Sequence, residues 1–292
     1  MPGNARTLTE QKVPPATSFA VLLAPLPAIL VGGWIAKGHG VSNSAYLPNL
    51  LGLVVGVALF VLLCRASLET LAARLPTIAA ALVLGTLLAP GLEGVHRWLP
   101  LGSLHVHASS AFVPWAFVGL LSSSRTTLRR TWILLTTIQV IHLLQPDAGQ
   151  ATALAAGTLP PLLSSRRKTR GAVLVALVLV SLAAVTWLRR DPLPPVEHVE
   201  RILLLAFAKG PSGLAMVVVG ASALLVPFVP STKTSRDVGA ALVLYLAAAF
   251  VVTFFGNFPV PVFGAGAGPV LGWYALLSVH RARRSLDLVR RS

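Results

Sequence analysis

The sequence predicts an all-α fold, a polytopic transmembrane helix bundle of about ten spans with both termini in the cytoplasm. Of 292 residues, 55% are hydrophobic and only 11% charged, and the mean hydropathy is +0.77. That is far too apolar for an ordinary soluble domain. Apolar runs of roughly span length recur from residue 17 onward, with no soluble stretch between them long enough to fold separately. The basic residues, finally, fall mostly on one side of those runs.

Residues 1–16, MPGNARTLTEQKVPPA, read as a cytoplasmic tail. They lack the basic start, apolar middle and small-residue cleavage site of a secretory signal, so the first apolar run is expected to stay as a helix. The expected spans are 17–36, 46–64, 73–92, 107–122, 131–145, 149–163, 171–188, 210–229, 237–256 and 266–281. The fifth and sixth are short and meet at Gln145-Pro146-Asp147, which leaves open one broken or re-entrant segment. A single transmembrane domain over 17–285 and a basic tail over 286–292 complete the division. Cys64, the only cysteine, excludes an internal disulfide and reads as a small buried hydrophobe.

The formal charge of +15 would suggest nucleic acid in a soluble protein. In a membrane protein it first reports orientation. With the N-terminus inside, the cytoplasmic segments hold eighteen of the 24 Lys and Arg. The outer segments keep only Lys37, Arg97, Arg189, Arg190, Arg201 and Lys209. The run RRKTR at 166–170 is therefore a solvated anchor beside anionic membrane lipids, and no nucleic-acid partner is expected.

In this orientation four polar constellations gather on the outer side. The first is GVHRWLPLGSLHVHASS, 94–110, where Pro100 and Gly102 shape a turn, Trp98 suits the interface and Arg97 offers a fixed cation. His105 and His107 alternate with apolar residues, but no third ligand stands at a fitting spacing, so no metal site is assigned. The second is LLQPDAGQATAL, 143–154. Pro146 removes a backbone donor and Asp147 can cap a helix beginning near Ala148. An ionisable group at that depth costs roughly 3 kcal/mol unless partnered, so Gln145, Asp147 and Gln150 imply a polar cavity. The third is RRDPLPPVEHVERILLLAFAKG, 189–210. If a helix starts near Pro195, Glu197 and Arg201 share a face at i and i+4, and the acids also suit the helix dipole. Carboxylates beside His198 and Arg201 are the materials of general-base chemistry on an anionic substrate. The fourth, NFPVPVFGAGAGPVLGW at 257–273, cannot be a regular helix through Pro259 and Pro261, and reads as irregular chain lining a cavity.

With these residues in view, the chain resembles the SEDS family (shape, elongation, division and sporulation), the ten-span polymerases of bacterial peptidoglycan. Arg97-Trp98-Leu99-Pro100-Leu101-Gly102-Ser103-Leu104 is similar to the family's R-W-I-x-L-G-x-L, and Ser109 falls on the serine of its Q-P-S-E. Gln145-Pro146-Asp147-Ala148-Gly149-Gln150-Ala151 resembles Q-P-D-L-G-T-A. Pro195, His198, Glu200 and Ile202 fall on P-E-x-H-T-D-F-I-F, and Pro259, Pro261 and Gly266 on P-L-P-F-I-S-Y-G-G-S-S. The resemblance spans about 17–285.

The resemblance implies a multi-pass protein of the bacterial cytoplasmic (inner) membrane that binds or polymerises undecaprenyl-diphosphate-linked cell-wall precursor at the outer face. Glu200 would be the catalytic base. Arg97 would hold the diphosphate, and Gln145, Asp147, His198, Arg201 and Lys209 would complete the substrate site. A class B penicillin-binding protein is the implied partner, and the cofactor is left open, a divalent cation being the one considered. Three segments depart from the pattern. Ser110 replaces the Q-P-S-E glutamate, Ala208 and Lys209 replace an acidic pair, and GAGAGP at 264–269 replaces S-Y-G-G-S-S. These substitutions carry the alternative of a non-catalytic scaffold for division or elongation partners. A transporter, drawing on the helix break at Pro146, is the third reading.

Overall fold

The computed structural model describes residues 19–164, 169–230 and 236–289, with side chains as far as residue 283. Arg166, Arg167 and Lys168 of the predicted anchor, and the 1–16 tail, lie outside the described residues.

The expected helices are all present, with shifted ends. A short α1 (Phe19–Leu22) leads into α2 (Pro25–Lys37), whose Pro25 occupies the first turn, where its missing N–H is no loss. Next come α3 (Leu47–Leu63) and α4 (Leu68–Gly85), the latter capped by Ser67, which accepts a bond from the Thr70 amide. The 94–110 stretch, expected as a loop and turn, instead folds into an antiparallel hairpin of β1 (Trp98–Leu101) and β2 (Leu104–His107). Gly102, at φ +63°, makes its turn. Pro100 lies within β1, a tolerable place because a two-stranded hairpin has only edge strands. The chain continues as α5 (Ala108–Ala116), α6 (Arg125–Leu144), α7 (Ala148–Leu163) and α8 (Arg170–Thr186). Thus 125–163 is two helices joined at a tight break, and α6 starts six residues earlier than expected because Ser124 caps it. The outer loop carries α9 (Glu197–Glu200) and α10 (Ile202–Ala208), followed by α11 (Pro211–Leu225), α12 (Arg236–Val251) and α13 (Ala267–Val289). α13 runs past the predicted end at 281 and into the 286–292 stretch.

By length and composition, Phe19–Lys37, Asn43–Leu63, Leu68–Leu88, Pro211–Phe228 and Arg236–Phe254 are helices able to cross a membrane, with Ala108–Leu121 and Arg170–Thr186 as shorter apolar helices. α13 is the hub of the polytopic bundle, packing on α3, α5 and α12. In lipid there is no hydrophobic gain between apolar helices, so close approach over small residues decides the packing. A Cβ on Gly56 of α3 would fall 2.2 Å from the Tyr274 ring, and one on Gly272 of α13 only 1.9 Å from the Ser110 carbonyl. α7, rich in Ala and Gly, lies between α8 and α12.

Candidate functional site

Arg97 organises the site. It stands just before β1 and is 2% exposed. Its Nε donates to the Gln145 carbonyl at 3.2 Å, one terminal nitrogen donates to the Pro146 carbonyl, and the same nitrogen pairs with Asp191 Oδ2 at 2.8 Å. The guanidinium also lies 5.9 Å from the Phe258 ring. One side chain therefore joins the first constellation to the second, third and fourth. The geometry is possible because Pro146 ends α6 and turns two carbonyls, freed from helical bonding, toward the hairpin.

Asp147, fully buried, caps α7 by accepting from the Gln150 amide at 3.1 Å. Its other oxygen faces His107 Nε2 at 3.4 Å. His107 Nδ1 accepts from the Ser110 amide at 3.3 Å, so its ring proton is on Nε2, directed at the carboxylate. Next to this pair, His142 contacts Ser109 Oγ at 3.1 Å and Gln139 Oε1 at 3.3 Å. The Gln139 amide donates onward to the Ala151 and Leu179 carbonyls. Gln145 donates to Thr86 Oγ1, and Tyr245 donates to Gln150 Oε1 at 2.8 Å. Where a polar cavity was expected, Gln145, Asp147 and Gln150 are buried in a polar cluster that is bonded only in part. Gln145 Oε1, Asp147 Oδ2 and His107 Nε2 have no close hydrogen-bond partner among the described residues, the last two facing each other at 3.4 Å. Among the described residues no group of three His, Cys, Asp or Glu forms a metal site.

The outer segment is organised differently. α9 is one turn only, broken at Arg201 (φ −112°), so Glu197 and Arg201 do not form the predicted i, i+4 pair. Arg201 reaches Asn257 Oδ1 at 3.4 Å instead. Glu200 Oε2 accepts from the Val196 amide at 2.7 Å, bracing its own turn. Burial pushes the Glu200 carboxyl above its usual value. The Val196 bond and the charge of Arg97 pull it back, and Asp191 adds to the rise. Burial also lowers the His198 imidazole, whose backbone carbonyl accepts from the Ala265 amide at 2.9 Å. The glycine stretch rests on Asn49. Its Nδ2 donates to the Val262 and Gly264 carbonyls, and its Oδ1 accepts from the Gly266 amide at 2.7 Å. The glycines pack into the bundle, whereas Asn257 and Phe258 at the start of the 257–273 stretch do line an open cleft.

A cleft of about 440 Å³ opens beside Arg97. Pro146, Ala148, Trp187, Leu204, Phe254 and Phe258 give it an apolar lining, and Arg189, Asp191, Arg201 and Asn257 a polar one. Of the predicted site residues, Arg201 lines the cleft and Arg97 stands behind Asp191. Gln145 and Asp147 are buried one layer deeper, and Glu200 is within the field of Arg97. Lys209 lies elsewhere, over the Trp34 ring at 4.9 Å. Asp191 and Arg189 escaped the sequence reading, although an acid at the mouth of a proline-rich loop was the available signal. Asn49 gave none.

Comparison with family models and with curated proteins finds no match. Among solved structures, the chain is similar to the rod shape determining protein RodA of Thermus thermophilus, as an aspartate-to-alanine variant (TM-score 0.68) and without that change (TM-score 0.66). It is also similar to a chain of a peptidoglycan synthase complex solved to show the coordination of polymerization and crosslinking (TM-score 0.64). Each is 18% identical, with 92% of this chain and 98% of the other covered. The chain therefore has the fold of RodA, that of a polytopic helical membrane protein.

Proposed function

We propose that the chain is a divergent SEDS-type protein of bacterial cell-wall synthesis, embedded in the cytoplasmic membrane, that binds an undecaprenyl-diphosphate-linked precursor at its outer cleft. The observation that carries this reading is the convergence on Arg97 of four sequence-distant segments beside a cleft lined by both arginines and aromatic side chains. Guanidinium groups suit phosphate oxygens. The aromatic and aliphatic walls suit the first isoprene units of the carrier.

For turnover, Glu200 is the base. Its carboxylate would take the proton of the acceptor hydroxyl as that oxygen attacks the anomeric carbon, with the diphosphate lipid leaving. Arg201, one residue on, is placed to neutralise the departing charge, and Arg97 holds the Pro146 part of the cleft lining in register. Gln145, Asp147 and His198 act through position, and Lys209 anchors α10 to α2.

A second reading, a non-catalytic scaffold for a class B penicillin-binding protein, is favoured by one observation. Gly268 and Gly272 press on Ser110, so two of the departures from the family pattern are in direct contact. A glutamate at 110 would have no room against α13. The loss of that acid and of the glycine-rich serines is thus a single repacking. Purified protein incubated with lipid-linked precursor separates the readings. Polymer formed by the wild type and absent with Glu200→Gln supports catalysis. Precursor binding without polymer, together with partner capture unaffected by Glu200→Gln, supports the scaffold. Absence of precursor binding defeats the proposal.

A further inference from the structure

The cleft wall holds two guanidinium groups, Arg189 and Arg201, and one carboxylate, Asp191. Behind Asp191 is the guanidinium of Arg97. Its other partners are the backbone carbonyls of Gln145 and Pro146, so Asp191 supplies its paired negative charge. A buried cation left with carbonyl dipoles alone would be poorly compensated. Asp191 itself is not buried, since its side chain is 19% exposed while that of Arg97 is 2% exposed. It belongs to residues 189–196, which form neither helix nor strand and contain Pro192, Pro194 and Pro195. Outside the Arg97 pair, Asp191 Oδ1 accepts from the Leu193 amide at 3.2 Å within the segment. The segment is tethered at its middle by the Leu193 carbonyl on Asn257 at 3.2 Å, and at its ends by the Arg189 amide on Thr186 and by Val196 on α9.

We infer that Asp191 is a displaceable internal stand-in for the anionic end of the ligand: a phosphate-bearing amphiphile meets Arg189 and Arg201 first and then takes Arg97 over from Asp191. Carboxylate and phosphate compete for the same guanidinium geometry. Exchange of one for the other keeps Arg97 paired throughout, and the released carboxylate, already part-exposed, goes to water. With three arginines and one aspartate, the four side chains carry a net positive charge that a phosphate monoester or diphosphate neutralises. Trp187, Leu204, Phe254 and Phe258 receive the hydrocarbon. The inference rests on the cleft being the precursor site but concerns only the charged end of that ligand.

The test measures binding of farnesyl diphosphate and of inorganic pyrophosphate to the full-length protein in detergent. Asp191→Asn, which keeps an oxygen acceptor for Arg97 but removes the competing charge, is expected to bind farnesyl diphosphate about tenfold more tightly than wild type. The double variant Arg189→Gln/Arg201→Gln, altered at two exposed positions, is expected to bind about tenfold more weakly with an unchanged melting temperature. A folded Asp191→Asn protein with equal or lower affinity overturns the inference, as does unchanged binding by the double variant. If Asp191→Asn gives no folded protein, the double variant alone decides. Pyrophosphate bound as tightly as farnesyl diphosphate assigns the cleft to free phosphates and overturns the amphiphile. Should lipid-linked precursor bind while neither substitution matters, the proposed function stands and this inference falls. Both expected shifts in a protein that ignores the precursor support the exchange and defeat the proposed function.

Discussion

The break between α6 and α7 and the outer segment 189–201 use the same kinds of residue to opposite ends. At the break, Gln145, Asp147 and Gln150 are at most 7% exposed, Asp147 caps α7 by accepting from the Gln150 amide, and Gln150 accepts from Tyr245. On the outer segment, Arg189, Arg201 and Asp191 are part-exposed or exposed and face a cleft. Burial with close pairing makes a framework, because every altered group leaves an unpaired neighbour in a low-dielectric setting. Partial exposure leaves charge free to meet a ligand. The difference teaches that Gln145-Pro146-Asp147 is built into the buried framework, and the 189–201 loop presents its charges to the cleft.

The largest expected effect tests the framework side. Arg97→Met leaves two buried carbonyls unbonded and Asp191 unpaired, a loss of about 3–5 kcal/mol that should nearly abolish folded yield in detergent. A protein that melts like wild type would show that Arg97 is not the keystone. Asp147→Leu comes next. It removes the α7 cap and the partner of His107, worth together about 2–4 kcal/mol, and is read by the same melting curve. A normal yield would move Asp147 out of the framework.

On the loop side, Glu200→Gln keeps an oxygen for the Val196 amide, so its stability should fall by less than about 0.5 kcal/mol while any polymerisation stops. Glu200→Ala removes that bond as well and should lose about 1 kcal/mol more. Equal melting of the Gln and Ala variants would argue against the brace. The raised Glu200 carboxyl also fixes the sign of a pH effect. Because the folded protein holds that proton more tightly than the unfolded chain, Glu200 favours folding on the acid side, and this contribution is lost as pH rises through its elevated value. Base activity runs the other way, so turnover should begin to fall at a higher pH than an ordinary carboxylate would give. A pH–rate profile flat into the ordinary carboxylate range would remove Glu200 as the base.

The smallest effect is expected at Lys209. Lys209→Gln loses a cation–π contact with Trp34 worth about 0.5–1 kcal/mol and should leave precursor binding unaltered. Weakened binding would return Lys209 to the site.

Much of this was legible in the residues. Asp147 followed by an Ala- and Gly-rich run announces a capped helix, since only a short acceptor side chain can satisfy its first amides. Arg97 between a histidine and a tryptophan marks a cation held at the interface. Less visible was α9, where periodicity suggested a continuing helix but the backbone breaks at Arg201. The 98–107 hairpin was hidden because Trp-Leu-Pro-Leu and Leu-His-Val-His are too short and apolar to separate strand from loop.

The sequence alone determined the membrane class, the approximate bounds of the long helices and the break at Pro146, because these follow from local hydropathy, proline and capping chemistry. Tertiary structure alone decided which charges meet. Arg97 pairs with Asp191 across 94 positions of chain, and Asn49 supports a glycine stretch more than 200 positions away. Such partners are chosen by how helices pack over small residues, and no local pattern records that geometry.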